Sequence, residues 1–134
     1  MKKKIIITGG LGYIGSELCK IYSGYSWNDD ITIIDNRFIS ERVNQLRNWN
    51  MEFIHGDILD KELIKKYCYD ADVVHHLAGI TNVPRVKSER NDQNDNLIKR
   101  VAEEGTKNIL DVIDKKCKII MPSTHVIYEG LESV

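Results

Sequence analysis

Lys4-Ile5-Ile6-Ile7-Thr8-Gly9-Gly10-Leu11-Gly12-Tyr13-Ile14-Gly15-Ser16 is the stretch on which the fold turns. Three β-branched apolar residues in a row read as a short strand. Glycines at 9, 10, 12 and 15 then end it. Apolar residues resume at helical spacing with Leu11, Ile14, Leu18 and Ile21, which predicts a helix from Leu11 to about Ser23. A strand that feeds a helix through a glycine-rich turn has a particular use. Small residues let the chain turn sharply, let backbone come close to a bound pyrophosphate, and let the helix pack on its strand. The helix N-terminus then presents unpaired N–H groups and a partial positive charge.

The same stretch argues against a secretory leader. A leader needs roughly 7–15 consecutive apolar residues before a small-residue cleavage site, and here the run stops at Thr8. No later stretch approaches the ~18 uninterrupted apolar residues of a membrane span. A cytoplasmic chain with no membrane partner is expected. The 134 residues are long enough for one domain with a sizeable core. A net charge of -1 leaves no basic surplus for phosphate contacts, so no nucleic-acid partner is expected. Lys2-Lys3-Lys4 reads as a solvated lead into the first strand. Cys19, Cys68 and Cys117 are odd in number, far apart and never in a CxxC pair, so free thiols are expected rather than disulfides or a zinc site. His55 and His125 have no acidic or thiol partner at ligand spacing, and no metal is assigned.

Beyond the turn, β-branched runs alternate with helical patterns. Strands are predicted at Ile31–Asp35, Met51–Ile54, Ala71–His76 and Lys118–Met121. Ser40 reads as the cap of a helix to about Arg47, with Val43 and Leu46 facing in, and Asp60 as the cap of a helix carrying Leu63, Ile64 and Tyr67. A long helix from about Asp92 to Lys115 carries the stripe Ile98, Ala102, Gly105, Ile109 and Val112. Gly105 inside it costs roughly 1 kcal/mol against Ala, and a close approach of helix to sheet is the predicted reason. The near-continuous apolar run at Ile31–Asp35 suits a strand covered on both faces. The alternation predicts an α/β fold, a doubly wound parallel sheet. Asp35 lies 20 residues after Gly15, at the predicted end of the second strand. A carboxylate at that place accepts ribose hydroxyls, so turn, helix and acid together predict a Rossmann dinucleotide pocket. The acid repels a 2′-phosphate and favours NAD over NADP, while Arg37, two residues on, pulls the other way.

Thr8-Gly9-Gly10-Leu11-Gly12-Tyr13-Ile14-Gly15-Ser16 resembles the opening of the extended short-chain dehydrogenase/reductases, the family of nucleotide-sugar epimerases and dehydratases. That family's GxxGxxG spacing is filled by Gly9, Gly12 and Gly15. His55-Gly56-Asp57-Ile58 resembles its G-D-[IL] after the third strand, whose acid contacts adenine. Val73-Val74-His75-His76-Leu77-Ala78-Gly79 resembles its H-L-A-A/G, which lines the nicotinamide side. Gly105-Thr106-Lys107-Asn108-Ile109-Leu110 resembles its G-T-x-N-L-L helix, although Ala102 stands where the family often has Asn. The motifs run the length of the chain in the family's order. The resemblance implies NAD as cofactor, held by Gly9, Gly12, Tyr13, Ile14, Gly15, Asp35, Asn36, Asp57, Ile58, Leu77, Ala78 and Gly79. His75 and His76 point to opposite faces of a strand, which suits neither a metal nor an acid–base pair. A packing role is expected for His76.

In that family a Ser or Thr after the fifth strand holds the sugar hydroxyl that is oxidised. A tyrosine of a Y-x-x-x-K motif removes its proton, the lysine lowers that tyrosine's pKa, and NAD takes the hydride. Met121-Pro122-Ser123-Thr124-His125-Val126-Ile127-Tyr128-Glu129-Gly130 resembles this stretch, with Tyr128 on the aromatic of V-Y-G and Thr124 in the catalytic Ser/Thr position. The family's 4,6-dehydratases usually carry Asp-Glu after that threonine, where His125 and Val126 stand here. Ile127-Tyr128-Glu129-Gly130 is similar to the V-F-D-G of sugar-nucleotide reductases. The resemblance therefore points to an epimerase or reductase. No tyrosine of the chain has a lysine four residues later. Residues 1–134 are expected to be the N-terminal, NAD-binding portion of a longer enzyme on a nucleotide sugar, truncated after about five strands and inactive alone. An open sheet edge there predicts self-association. The alternatives are a non-catalytic dinucleotide-sensing module of the same fold and a scaffold with a vestigial pocket.

Overall fold

The computed structural model describes residues 1–25, 28–80 and 92–123. Five strands, β1 (Lys4–Thr8), β2 (Asp30–Asp35), β3 (Glu52–His55), β4 (Val73–His76) and β5 (Lys118–Ile120), form one sheet in the order β3-β2-β1-β4-β5. All neighbours are parallel, with Ile5 opposite Ile31 on one side of β1 and opposite Val73 on the other. The helices are α1 (Tyr13–Tyr25), α2 (Ser40–Asn48), α3 (Lys61–Cys68), α4 (Asp92–Arg100) and α5 (Thr106–Leu110). A π-helical turn, Val101–Gly105, joins the last two. The chain therefore forms the expected doubly wound α/β sheet.

The isoleucine run divides itself between two cores, as the twofold alternation of a strand requires. Ile5, Ile7, Ile31 and Ile33 pack with Leu11, Cys19, Val43 and Leu46. Ile6, Ile34 and Val74 face the other way, onto Ile58, Ile64, Cys68 and Ile109. Apolar residues run on without alternation in β1 and β2 because both faces are covered. Cys19 and Cys68 are buried free thiols that burial pushes up to about 12, and Cys117 is a half-buried free thiol, also raised by burial. The basic lead is tied down: Lys2 pairs with Asp30, Lys4 with Asp70, and Lys3 N–H donates to the Asp29 carboxylate. Among the described residues, no helix is long and apolar enough to cross a membrane.

Several predicted details are corrected. The first helix starts at Tyr13, not Leu11, and its inward line is Gly15 and Cys19 with Leu18 and Tyr22 half-buried. Ile14 and Ile21 are 63% and 57% exposed. The contact at Gly15 sets this rotation, because a Cβ there would lie 2.5 Å from Gly9 O. Ser40 does not cap α2: Ile39 occupies the cap position without a side-chain bond, held by its packing on the core, and the Ser40 hydroxyl turns to Glu41. Asp60 does cap α3, accepting from Leu63 N–H at 3.1 Å. The single long helix is broken by the π turn and ends at Leu110, not Lys115. The wider turn brings Val101 onto the core and leaves Ala102 exposed. Gly105 is approached closely, but by a loop side chain: a Cβ there would lie 2.4 Å from Ile58 Cδ1. Strand ends shift by one or two residues. Asp72, for example, leaves β4 to bond its carboxylate to Lys4 N–H at 2.8 Å.

Candidate functional site

β1, β2 and β4 end along one edge of the sheet with Thr8, Asp35 and His76. The connections from β1 and from β3 run to opposite sides there, which opens a crevice beyond the carboxyl ends of the strands. Gly9 N–H donates to Ile34 O at 2.8 Å and Leu77 N–H to Thr8 O at 3.1 Å, so the glycine turn is wedged between neighbouring strands. Three glycines are demanded by that wedge. A Cβ at Gly9, whose φ is +71°, would lie 2.7 Å from Ala78 N. One at Gly10 would meet Ile33 Cγ2 at 2.4 Å and one at Gly15 would meet Gly9 O at 2.5 Å. Gly12 is different. Its nearest neighbours are Gly9 O at 3.1 Å and Arg37 Nη2 at 3.5 Å, so protein packing alone does not forbid a small side chain there.

Gly12 O accepts from Ser16 N–H at 2.9 Å and from the Ser16 hydroxyl at 2.7 Å, which closes the first turn of α1. Among the described residues, the N–H groups of Tyr13, Ile14 and Gly15 have no acceptor. The first turn carries no acidic residue. Free donors, the positive end of the helix dipole and no competing carboxylate make an anion seat. Tyr13 and Ile14, 89% and 63% exposed, flank it.

Asp35 is 5% exposed. Its Oδ2 accepts from Leu11 N–H at 3.0 Å and its Oδ1 from Arg37 N–H at 3.0 Å. The acid thus holds the turn in shape at the carboxyl end of β2. Arg37 Nε and Nη2 donate to the two oxygens at 3.3 and 3.4 Å, and Arg42 donates to Leu11 O. Asn36 is exposed, and its carbonyl accepts from His55 Nε2 at 2.9 Å. Gly56 N–H donates to Asp35 O at 3.0 Å, which brings the third strand's exit beside the second. Asp57 Oδ1 accepts from Leu59 N–H at 2.9 Å. Ile58 is 5% exposed and packed on Gly105. Asn108 Nδ2 donates to Ile58 O at 3.0 Å and fixes that backbone. Sequence reasoning assigned Asn108 no role; its place in the Gly-Thr-x-Asn stretch was the available signal.

Leu77 and Ala78 are half-buried and Gly79 is exposed on the β4 side of the crevice. Their backbone is set by a polar chain. Ala78 N–H donates to Thr8 Oγ1 at 3.2 Å, Thr8 Oγ1 meets His76 Nδ1 at 2.8 Å, and His76 Nε2 meets Thr106 Oγ1 at 2.9 Å. His75 points to the opposite face and meets the Tyr22 hydroxyl at 2.7 Å. The two histidines therefore act apart, as expected. Burial holds His76 below the usual histidine pKa, and burial followed by Lys118 does the same for His75. The unfolded chain then binds protons that the folded chain refuses. This part of the stability is present above about pH 6.5, the free histidine value, and is lost as pH falls below it. Melting temperature is expected to fall between about pH 7.5 and 5.5, with His76→Gln flattening the slope. A melting temperature that rises on acidification contradicts the neutral, bonded imidazoles. Thr124, His125 and Tyr128 lie outside the described residues, as does Trp27.

Two surface hollows lie elsewhere. One of about 360 Å³ sits at the opposite end of the strands among Lys4, Asp30, Thr32, Asn50 and Glu52, and one of about 390 Å³ sits on the outer side of α3. Thr32 already donates to Glu52 in the first, and the second is lined by Glu62, Lys65, Lys66 and Tyr69. Among the described residues, no three His, Cys, Asp or Glu side chains gather as metal ligands.

The chain is 33% identical to the CDP-paratose 2-epimerase of Salmonella typhi, with 96% of this chain and 39% of that protein aligned. It is 34% identical to the UDP-N-acetyl-alpha-D-glucosaminuronate decarboxylase of Bacillus cytotoxicus, over 96% of this chain and 38% of that protein. The chain spans about two-fifths of the length of these curated relatives. Its fold matches that of the UDP-glucose-4-epimerase of Stenotrophomonas maltophila at a TM-score of 0.77, with 18% identity over 98% of this chain and 40% of that one. It matches the Helicobacter pylori ADP-L-glycero-D-manno-heptose-6-epimerase at 0.75, with 22% identity over 98% of this chain and 42% of that one. Residues 6–129 match the 3-beta hydroxysteroid dehydrogenase/isomerase family along almost the whole chain. With its glycine turn, buried acid and parallel sheet, the chain belongs to that family, among the extended short-chain dehydrogenase/reductases.

Proposed function

We propose that this chain is the cofactor-binding part of an NAD-dependent enzyme that acts on a nucleotide sugar. The observation that carries the reading is the uncapped N-terminus of α1 beside a buried carboxylate: among the described residues three N–H groups lack acceptors, and Asp35 is bonded to the N–H of Leu11 in the same turn. In this reading the N–H groups of Tyr13 and Ile14 hold the diphosphate, Gly12 lets it come close, and Asp35 accepts the adenosine ribose hydroxyls. Asp57 and the Ile58 N–H, an acceptor beside a donor, match the amino group and ring nitrogen of adenine. Asn36 borders the ribose. Leu77, Ala78 and Gly79 form the nicotinamide side, held in place by Thr8 and His76. NAD, when bound, takes up a hydride and returns it.

Thr124 is the residue proposed to hold the sugar hydroxyl by hydrogen bond. No residue is assigned to remove its proton, because no tyrosine of the 134 residues precedes a lysine by four. His125 and Val126 favour epimerase or reductase chemistry over dehydration. The three free thiols suit the cytoplasm, and self-association through the β5 edge belongs to the same proposal, with no nucleic-acid partner.

Calorimetric titration with NAD tests the site. Binding is expected at or below millimolar NAD. Gly12→Ala is expected to weaken it by about tenfold or more, with a smaller loss of melting temperature than Gly15→Ala, because the added methyl lies 3.1 Å from Gly9 O where one at Gly15 would lie 2.5 Å from it. Absence of heat at millimolar NAD, or equal affinity in Gly12→Ala, rejects the reading.

A further inference from the structure

The hydrogen-bond chain behind β4 has a fixed direction. Ala78 N–H can only donate, so Thr8 Oγ1 accepts from it at 3.2 Å. Among the described residues, the Thr8 hydroxyl then has one acceptor in reach, His76 Nδ1 at 2.8 Å. Nδ1 is therefore the bare nitrogen of a neutral ring, and Nε2–H donates to Thr106 Oγ1 at 2.9 Å. Thr8 and His76 are both buried, so the tautomer is set by these partners and not by bulk water. The chain ends on the first residue of α5, directly after the π turn.

The same helical turn also reaches the other end of the crevice. A Cβ at Gly105 would lie 2.4 Å from Ile58 Cδ1, and Asn108 Nδ2 donates to Ile58 O at 3.0 Å. Thr106 and Asn108 are two residues apart, about 200° around the helix axis. The buried Gly105 and Ile109 lie between them and face the core. One flank of α5 therefore meets the exit of β4 through His76, and the other meets the exit of β3 through Ile58. Ion pairs from Lys99 to Glu103 and from Arg100 to Glu104 run from α4 into the π turn that sets this rotation.

We propose that the first turn of α5 positions both ends of the dinucleotide. Thr106 acts on the nicotinamide end through His76 and Thr8, and Asn108 acts on the adenine end through Ile58. The inference rests on the dinucleotide reading above. Neither residue touches the cofactor; each sets a backbone segment that does. Without the Thr106 hydroxyl, the buried Nε2–H of His76 loses its acceptor. The ring regains a partner only by tilting or by moving its proton to Nδ1, and either change disturbs Thr8 and the Ala78 N–H it holds. Without the Asn108 amide, the segment that offers Asp57 and the Ile58 N–H to adenine loses its anchor.

Titration calorimetry with NAD and two analogues separates the two arms, at a temperature where melting curves show every variant folded. ADP-ribose lacks only the nicotinamide, and nicotinamide hypoxanthine dinucleotide replaces the 6-amino group of adenine with oxygen. Thr106→Val keeps the side-chain shape and removes the hydroxyl. It is expected to weaken NAD by about fivefold or more while ADP-ribose stays within about twofold. Thr106→Ser is expected to restore NAD, because the hydroxyl returns. Asn108→Ala is expected to weaken NAD and ADP-ribose alike and to cut the preference for NAD over the hypoxanthine analogue by about fivefold. Thr106→Val is expected to leave that preference unchanged. Ratios that stay put in either variant, or shift alike in both, overturn the assignment while NAD binding stands, and so does a Thr106→Ser variant as weak as Thr106→Val. If the wild-type chain binds none of the three ligands, the dinucleotide reading fails and this inference with it.

Discussion

Gly9→Ala is expected to cost about 2–5 kcal/mol of folding stability. About 1–2 kcal/mol of that comes from placing an L side chain at positive φ, and about 1–3 kcal/mol from forcing atoms into a filled site. The φ at Gly9 is +71°, and the new Cβ would lie 2.7 Å from Ala78 N and 2.8 Å from Ala78 Cα and Leu77 C. Those are backbone atoms of the loop leaving β4, and no rotamer change relieves the clash. Relief requires parting β1 from β4, which breaks the Leu77 N–H to Thr8 O bond. Gly24→Ala is the matched control, because nothing lies within 4 Å of its Cβ position in α1. It is expected to stabilise by roughly 0.5–1 kcal/mol through helix propensity. Urea midpoints measure both. Equal midpoints for Gly9→Ala and wild type would show that the turn does not pack as described.

Asp35→Ala is expected to weaken NAD by about a hundredfold, the loss of one to two charge-assisted hydrogen bonds at about 1.5–3 kcal/mol each. It is also expected to lower stability by about 1–3 kcal/mol, because the buried Leu11 N–H loses its acceptor. Asp35→Asn separates the two effects. The amide oxygen keeps an acceptor for Leu11 while the charge is gone and the NH2 faces Arg37 N–H, so stability recovers in part and affinity does not. Calorimetry gives the affinities and thermal melts give the stabilities. Full NAD affinity in Asp35→Asn would remove the carboxylate from the binding account.

Much of the site was legible because its parts are short-range. Strand, glycine turn, helix start and acid are local features whose spacing reflects backbone geometry, so Gly9, Gly12, Gly15 and Asp35 could be named from order alone. The cap at Asp60 and the opposite orientations of His75 and His76 are local in the same sense, since they follow from one residue's side chain or from strand alternation. What was misread depended on remote contacts. Ile14 and Ile21 fit a helical stripe, but the helix rotates to seat Gly15 on the turn and leaves them exposed. Ala102 lost its place to Val101 because a π turn changes the period within one helix.

The sequence by itself determined the class of sheet, the order of its elements and the turn that faces the crevice, since each depends on periodicities and spacings within about thirty residues. Only the tertiary structure decided which glycines the protein itself requires, that Ile58 lies on Gly105 with Asn108 holding its carbonyl, and that Arg37 covers the acid. These are meetings between strands, loops and helices far apart in the chain or between flexible side chains. Close packing selects them, and no local spacing encodes them.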